Sequence, residues 1–180
     1  MPFPYSASRC SLGAPLMFRW YGDVAVVGRD HLLAATQSFL RAVDSPLRQF
    51  DPYSTASLVA EFQDRPVQGI RGNLSGTKKV KTVALFPGLP LFEIRWNSMT
   101  VLEQDPSGKL ISIQIAVRLY HSEPAELQGC FVGHLIHEKK PGSENQVRED
   151  QNRQISLAAQ YFRQGRASLW NRLDTDDHPI

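Results

Sequence analysis

The residue best placed to do chemistry is a histidine at the end of an alternating segment. From Gly108 onward apolar residues recur at every second position, and by this parity His121 continues the apolar stripe. An imidazole titrates near neutral pH, so at the mouth of an apolar pocket it can act as a general base. The alternative interpretation is a strand-end histidine that is hydrogen-bonded to a loop.

The other ionisable residues give weaker evidence for a catalytic or binding site. Glu93 and Arg95 are two apart and share a strand face, where they would clamp a polar ligand group or form a solvated ion pair. His134 and His137 are three apart on one predicted strand, so they are expected on opposite faces and cannot form a two-ligand metal site there. We predict no metal site and no cofactor.

The number of cysteines limits the disulfides and metal sites that the chain can form. The chain has two cysteines, Cys10 and Cys130. Two cysteines make neither a disulfide framework nor a four-ligand metal site, and the count fits a reducing compartment.

A helix and a series of strands must position these residues. Apolar residues at helical spacing predict a helix over 31–43, with Asp30 as its N-cap, that ends before Pro46. Residues 46–56 are predicted to form a loop. Beyond it the apolar period changes to two, which predicts strands joined by short turns and therefore an antiparallel meander. The predicted strands span 57–63, 67–73, 79–86, 91–102, 108–122 and 128–138, after extended segments at 16–21 and 23–27.

Two further patterns define expected burial. In the strand 108–122, the residues predicted to face the core are Ile111, Ile113, Ile115, Val117 and Leu119, whereas Ser112, Gln114 and Arg118 should not. A second helix is predicted from about 144 to 173, and the residues expected to be buried along it are Ile155, Phe162, Leu169 and Trp170.

Composition excludes several classes of protein. Among 180 residues, 42% are hydrophobic and 21% are charged, which is typical of a folded chain. The net charge of +2 gives no electrostatic reason to expect a nucleic-acid partner. No apolar run approaches the ~20 residues of a membrane span, so we expect a cytoplasmic protein without a membrane partner.

Three segments resemble the SnoaL-like branch of the nuclear transport factor 2-like superfamily. Residues 18–33 resemble that family's short strand, Gly-Arg turn and pocket-covering helix, here Gly28-Arg29 before the helix. Residues 83–94 are similar to its entering strand pair, and residues 108–120 to its last strand. The resemblance covers about residues 16–124.

The resemblance implies an α+β fold in which a helix packs on a curved, mostly antiparallel, cone-like sheet. It also implies a pocket for a small hydrophobic molecule, with His121 as the catalytic residue. The aromatic residues expected to line this pocket, unless they are core packing, are Trp20, Tyr21, Phe39, Trp96 and Tyr120. The chain departs from the family in lacking the long first helix and the aspartate after the final tyrosine, and in its C-terminal helix.

The predicted organisation is an irregular N-terminus (1–15), one domain (16–173, with an extension from 125) and a polar tail (174–180). Two functions are open. The first is a small-molecule pocket protein, acting as an isomerase, cyclase or hydratase by acid–base catalysis. The second is a non-catalytic protein–protein interaction module on the same fold, for which a homodimer through the sheet is one assembly. Whether the chain is an enzyme is not decided by its sequence.

Overall fold

A meander of three long strands forms the centre of the fold, as the alternation predicts. The computed structural model describes residues 7–76 and 78–171. Its elements are β1 (Met17–Trp20), α1 (His31–Val43), β2 (Arg48–Gln49), α2 (Pro52–Ile70), β3 (Val80–Thr82), β4 (Leu91–Gln104), β5 (Leu110–Ser122), β6 (Cys130–Lys139) and α3 (Glu144–Ala167), preceded by a 3-10 turn (Arg9–Ser11).

The predicted α+β class is confirmed. The six-stranded sheet has the order β1-β6-β5-β4-β2, and β3 pairs with β4 beside β2. All neighbours are antiparallel except β1, which runs parallel to β6. The sheet is uncurled, with α1 and α2 packed on one face and α3 on the other. No helix in the described part of the chain is long and apolar enough to cross a membrane.

Helix α1 begins and ends where the sequence predicts. The Asp30 side chain accepts a hydrogen bond from the Leu33 backbone N–H, which satisfies one of the free donors of the first turn. Its apolar stripe places Ala35, Phe39 and Val43 in the core.

The predicted strands 57–63 and 67–73 are wrong, and so is the second half of the loop predicted over 46–56. Pro52–Ile70 form α2, with Asp51 as N-cap and Pro52 in the first turn. The buried residues Leu58, Phe62, Pro66 and Gly69 are spaced as on one helix face. Pro66 lies inside the helix, because burial of this face outweighs the lost backbone hydrogen bond.

Other boundaries also differ from the prediction. The strand 79–86 is reduced to β3, and residues 23–27 form no strand. Helix α3 ends at Ala167, and after it Leu169 and Trp170 have positive φ angles. Trp170 is buried as predicted, but Leu169 is 78% exposed, because the turn points it away from the sheet. The predicted continuation to 173 lies partly outside the described residues.

Burial along β5 changes halfway. Ile115, Val117 and Leu119 face the α1/α2 core as predicted, and Ser112 and Gln114 are exposed. Ile111, however, is 39% exposed, because the helices do not extend over that end of the strand. Arg118 is buried, contrary to the prediction, because α3 covers the second face from there to Ser122.

An aromatic stack fills the space between the helices and the sheet. The Phe39 and Phe62 rings are stacked at 4.4 Å, and the Phe62 and Trp96 rings at 5.0 Å. All three side chains are at most 1% exposed. Such packing stabilises the domain and leaves this space without room for a ligand.

We expect Phe62→Ala to lower the free energy of unfolding by about 3–5 kcal/mol, because it opens a cavity in this stack. The control Tyr53→Ala removes an aromatic ring of the same helix that is 86% exposed, and it should cost less than about 0.5 kcal/mol. Urea denaturation measures both. Equal losses would show that α2 does not pack as described.

Candidate functional site

A buried thiol, imidazole and carboxylate meet at the end of β5, on the α1/α2 face. The ligand atoms of Cys10, His121 and Glu123 all lie within 4.8 Å of one another, and we call these residues the Cys-His-Glu cluster. His121 Nε2 lies 3.3 Å from Glu123 Oε1 and 3.9 Å from Cys10 Sγ. Each of the three residues is at most 5% exposed.

Three elements bring the cluster together. β5 supplies His121, whose ring is stacked on Phe92 at 5.5 Å and meets the edge of Phe131. The chain after β5 supplies Glu123, and the 3-10 turn supplies Cys10. The alternation of β5 therefore aims His121 and Glu123 the same way, whereas only the tertiary fold brings Cys10 to them.

Glu123 also holds the N-terminal segment on the sheet. Its carboxylate accepts hydrogen bonds from the Ser8 hydroxyl and from the Arg9 backbone N–H, at 2.5 and 2.7 Å. Burial raises the pKa of Glu123, but the hydrogen bonds and charge of His121 and the bonds from Ser8 and Arg9 outweigh it and lower the pKa to about 2. The carboxylate is therefore ionised at neutral pH.

The cluster does not have the geometry of a nucleophilic triad. Such a triad needs one ring nitrogen toward the nucleophile and the other toward the carboxylate. Here Nε2 faces both groups, and Nδ1 has no hydrogen-bond partner among the described residues. Burial, together with the negative charge of Glu123, raises the pKa of the Cys10 thiol, so the thiol stays protonated.

A second buried pair lies on the α3 face. His134 Nδ1 lies 3.0 Å from the Tyr21 carbonyl oxygen, and Nε2 lies 2.7 Å from the Ser122 hydroxyl. The carbonyl accepts only from a protonated Nδ1, so Nε2 accepts from Ser122. Both side chains are fully buried, and burial lowers the pKa of His134 to about 3. We interpret this pair as structural.

His134 and His137 lie on the same face of the sheet, so the prediction of opposite faces is wrong. β6 has an extra residue between Gly133 and Leu135, which reverses the alternation. His134 is stacked on Trp170, and His137 Nε2 lies 3.2 Å from Asp150 of α3.

Beneath α3 lies a third group of buried charges. The predicted pair is present, since Arg95 Nε lies 3.3 Å from Glu93 Oε1. Arg118 Nε lies 4.0 Å from Glu93 Oε2, and Gln151 of α3 donates to the same carboxylate. Glu93 is 5% exposed and Arg118 is 4% exposed, whereas the Arg95 side chain is 27% exposed, so Arg95 joins a buried carboxylate to the surface.

The predicted aromatic site residues belong to two different cores. Trp20, Phe39 and Trp96 pack on the α1/α2 face, whereas Tyr21 and Tyr120 pack under α3. His121 is on the α1/α2 face. The structure therefore brings His121 together with Glu123 and Cys10, but it does not gather the five aromatic residues around one cavity.

An open groove of about 970 Å³ lies beside the end of β6. It is lined by the unpaired side of β5, by the β6–α3 connection and by the first turns of α3, including Ile113, Gln114, Lys139, Lys140, Val147 and Arg148. At its floor the Arg48 guanidinium binds Glu138 through two bonds of 2.6 and 2.8 Å. The sequence prediction missed this groove because it forms where one strand ends before its neighbour.

β5 extends beyond β6 beside this groove. β6 pairs with β5 from Ala116 to Ser122 only, whereas β5 pairs with β4 from Leu110 onward. In the described part of the chain, no strand pairs with residues 110–115 on the side away from β4. We call residues 110–115 the open edge.

Comparison with known proteins gives no match among protein-family models, curated proteins or solved structures. The site must therefore be interpreted from its own geometry.

We expect His134 to make stability depend on pH. Its pKa is about 3 in the folded chain and about 6.5 when unfolded, so between these values the unfolded chain binds the extra proton and stability falls as the pH is lowered. From pH 7.5 to 5 the loss should be about 2 kcal/mol.

The matched variant is His134→Gln, which keeps a hydrogen-bonding side chain but cannot titrate. Its unfolding free energy, measured by urea denaturation at both pH values, should lack this loss. An identical pH dependence in the variant and the parent chain would contradict the assignment of a neutral buried imidazole.

Proposed function

We propose that the chain is a non-catalytic protein–protein interaction module that assembles with a second copy of itself through the open edge of β5. The observation that carries the proposal is the row of backbone groups along residues 110–115, which face no strand of the described chain. An unpaired strand edge is a template for another strand.

The open edge lacks the features that usually prevent such pairing. It contains no proline and no charged residue. Leu110 and Ile111 are 41% and 39% exposed, although both are large apolar residues of a strand. Pairing would bury them together with the backbone groups.

The edge is self-complementary in one antiparallel register. If Ser112 lies opposite Ser112 of a second copy, then Ile111 lies opposite Ile113 of that copy, on the same face of the joined sheet. On the other face, Leu110 lies opposite Gln114. The register brings the isoleucines of both copies into contact on the sheet face that carries α1 and α2.

The length of the gap also fits this register. The incoming strand would continue the line of β6 and would begin beside the point where β6 ends, at Lys139 opposite Ala116. The turn that precedes the incoming strand carries both Asp105 and Lys109, which would approach the exposed Lys139 and Lys140 of the first copy. Attraction and repulsion therefore occur together at each end, and the register rests on the strand pairing and the isoleucine contacts.

A second candidate is the acid–base function that the SnoaL-like resemblance implies, favoured by the 3.3 Å contact between His121 and Glu123. The geometry supports it less well. Both groups are buried, and the aromatic stack fills the space under the helices. A cavity of about 620 Å³ beside the N-terminal segment reaches Glu123 but is not lined by His121, which is 0% exposed.

We expect the purified chain to be a dimer in light scattering, with Ile111→Lys raising the dimer dissociation constant by roughly tenfold to a hundredfold. The variant removes two isoleucine contacts per dimer and places a charge on the edge. The control Leu33→Lys makes a comparable change on α1 at a leucine that is 45% exposed, and it should leave the dimer intact. A parent chain that is monomeric at high micromolar concentration would overturn the proposal.

The register has its own test. We expect Ser112→Cys to form an intermolecular disulfide under mild oxidation, because this position faces itself across the axis. Gln114→Cys should not, since its own copies would lie about 13 Å apart. The native thiols are buried and do not compete. Equal crosslinking of both variants would reject this register, and crosslinking of Gln114→Cys alone would indicate a shifted one.

A further inference from the structure

We infer that the Cys-His-Glu cluster is a binding site for a single zinc ion, which would fasten the N-terminal segment to the end of β5. The sequence predicts no metal site, because two cysteines are too few for a four-ligand site and the spacing of His134 and His137 places them on opposite faces of a regular strand. The inference rests on the convergence of three different ligand atoms on one buried point.

Two of the three distances between ligand atoms are close to those of a tetrahedral zinc site. With Zn–S near 2.3 Å and Zn–N and Zn–O near 2.1 Å, tetrahedral geometry places S about 3.6 Å from N and from O, and N about 3.4 Å from O. Here Cys10 Sγ lies 3.9 Å from His121 Nε2, and His121 Nε2 lies 3.3 Å from Glu123 Oε1. The third distance, from Cys10 Sγ to the Glu123 carboxylate, is at most 4.8 Å, so the sulfur would have to move by up to about an ångström.

The donor set also suits zinc. Thiolate, imidazole and carboxylate are the three side-chain ligands that zinc takes, whereas magnesium and calcium take oxygen atoms. The Ser8 hydroxyl, 2.5 Å from the same Glu123 oxygen, or a water molecule would complete the tetrahedron. The three ligands that the cluster itself provides are Cys10, His121 and Glu123.

Charge balance gives a reason for binding. The Cys10 thiol and the Glu123 carboxyl group are both buried in the cluster. When Zn²⁺ binds, the Cys10 thiol loses its proton to solvent. His121 Nε2, which donates to the Glu123 carboxylate without the metal, gives up its proton and leaves a neutral ring protonated at Nδ1. The thiolate and carboxylate together then neutralise the ion. A buried site with zero net charge avoids the cost of an isolated buried charge.

The test uses the full chain after treatment with a chelator, titrated with Co²⁺ as a spectroscopic substitute and then with Zn²⁺. We expect a thiolate-to-cobalt charge-transfer band that saturates at one equivalent and disappears when zinc displaces cobalt. Zinc at a hundredfold excess over its dissociation constant should raise the melting temperature by roughly 5–10 °C.

Cys10→Ser should lose both the band and the thermal shift, whereas Cys130→Ser removes the other buried cysteine and should keep both. Glu123→Gln should weaken zinc binding at least tenfold. Because the parent chain and Cys130→Ser carry the signal themselves, the test holds even if Cys10→Ser folds poorly. Absence of the band in the parent chain, or its loss in Cys130→Ser, would overturn the inference.

These outcomes are independent of the proposed assembly. The cluster lies at the C-terminal end of β5, whereas the open edge lies at its N-terminal end. Zinc binding by a chain that stays monomeric would support the metal site and reject the dimer.

Discussion

The C-terminal half of β5 is covered on both faces, and the rest of the molecule depends on this double burial. Every side chain from Val117 to Ser122 is buried, with α1 and α2 on one side and α3 on the other. Water cannot solvate a polar group in such a strand, so each polar side chain needs a partner inside the protein. The polar clusters of this protein follow from that requirement.

Each cluster ties a distant part of the chain to the sheet. His121 meets Glu123 and Cys10, which holds the N-terminal turn; Ser122 meets His134 of β6; and Arg118 approaches Glu93 of β4, which Gln151 of α3 also contacts. Removing one member would leave the other buried and unpaired, which costs more than the bond itself contributes. The same convergence of donors makes one of these clusters suitable for a metal ion.

In the N-terminal half of β5, by contrast, the strand is too little covered. There the helices do not cover the strand, β6 has ended, and backbone groups and isoleucine side chains remain open on one edge. A strand in this state gains from pairing, because its backbone bonds and its apolar contacts are satisfied together. One strand thus carries a closed polar end and an open apolar end, and the two proposals follow from these two ends.

The interior under α1 and α2 bears on the two functions that the sequence leaves open. A pocket protein needs an empty, concave space with a few polar groups. Here three stacked aromatic rings occupy that space, and two of them, Phe39 and Trp96, are residues that the resemblance would place around a ligand. The packing therefore favours an interaction module over a small-molecule pocket.

Local pattern alone determined the features whose signals lie within a few neighbouring residues. Helix α1 with its Asp30 cap, the meander of β4, β5 and β6, and the start of α3 follow from capping chemistry and apolar period. The apolar pattern gave the wrong prediction for α2, although the Asp51-Pro52 signal for a helix start is present. Short apolar spacings fit both the strand period and the helix period, and Pro66 suggested a turn.

The tertiary structure decided what depends on contacts between distant residues. Burial of Arg118 depends on a helix that begins more than twenty residues later, and the shared face of His134 and His137 depends on a bulge against β5. The meeting of Cys10 with His121 depends on how the N-terminal turn packs. The period of apolar residues in a sequence indicates which side chains share a face of a strand or helix. It does not indicate what covers that face, where a neighbouring strand ends or which distant segment packs there. Those features are set by the packing of the whole domain.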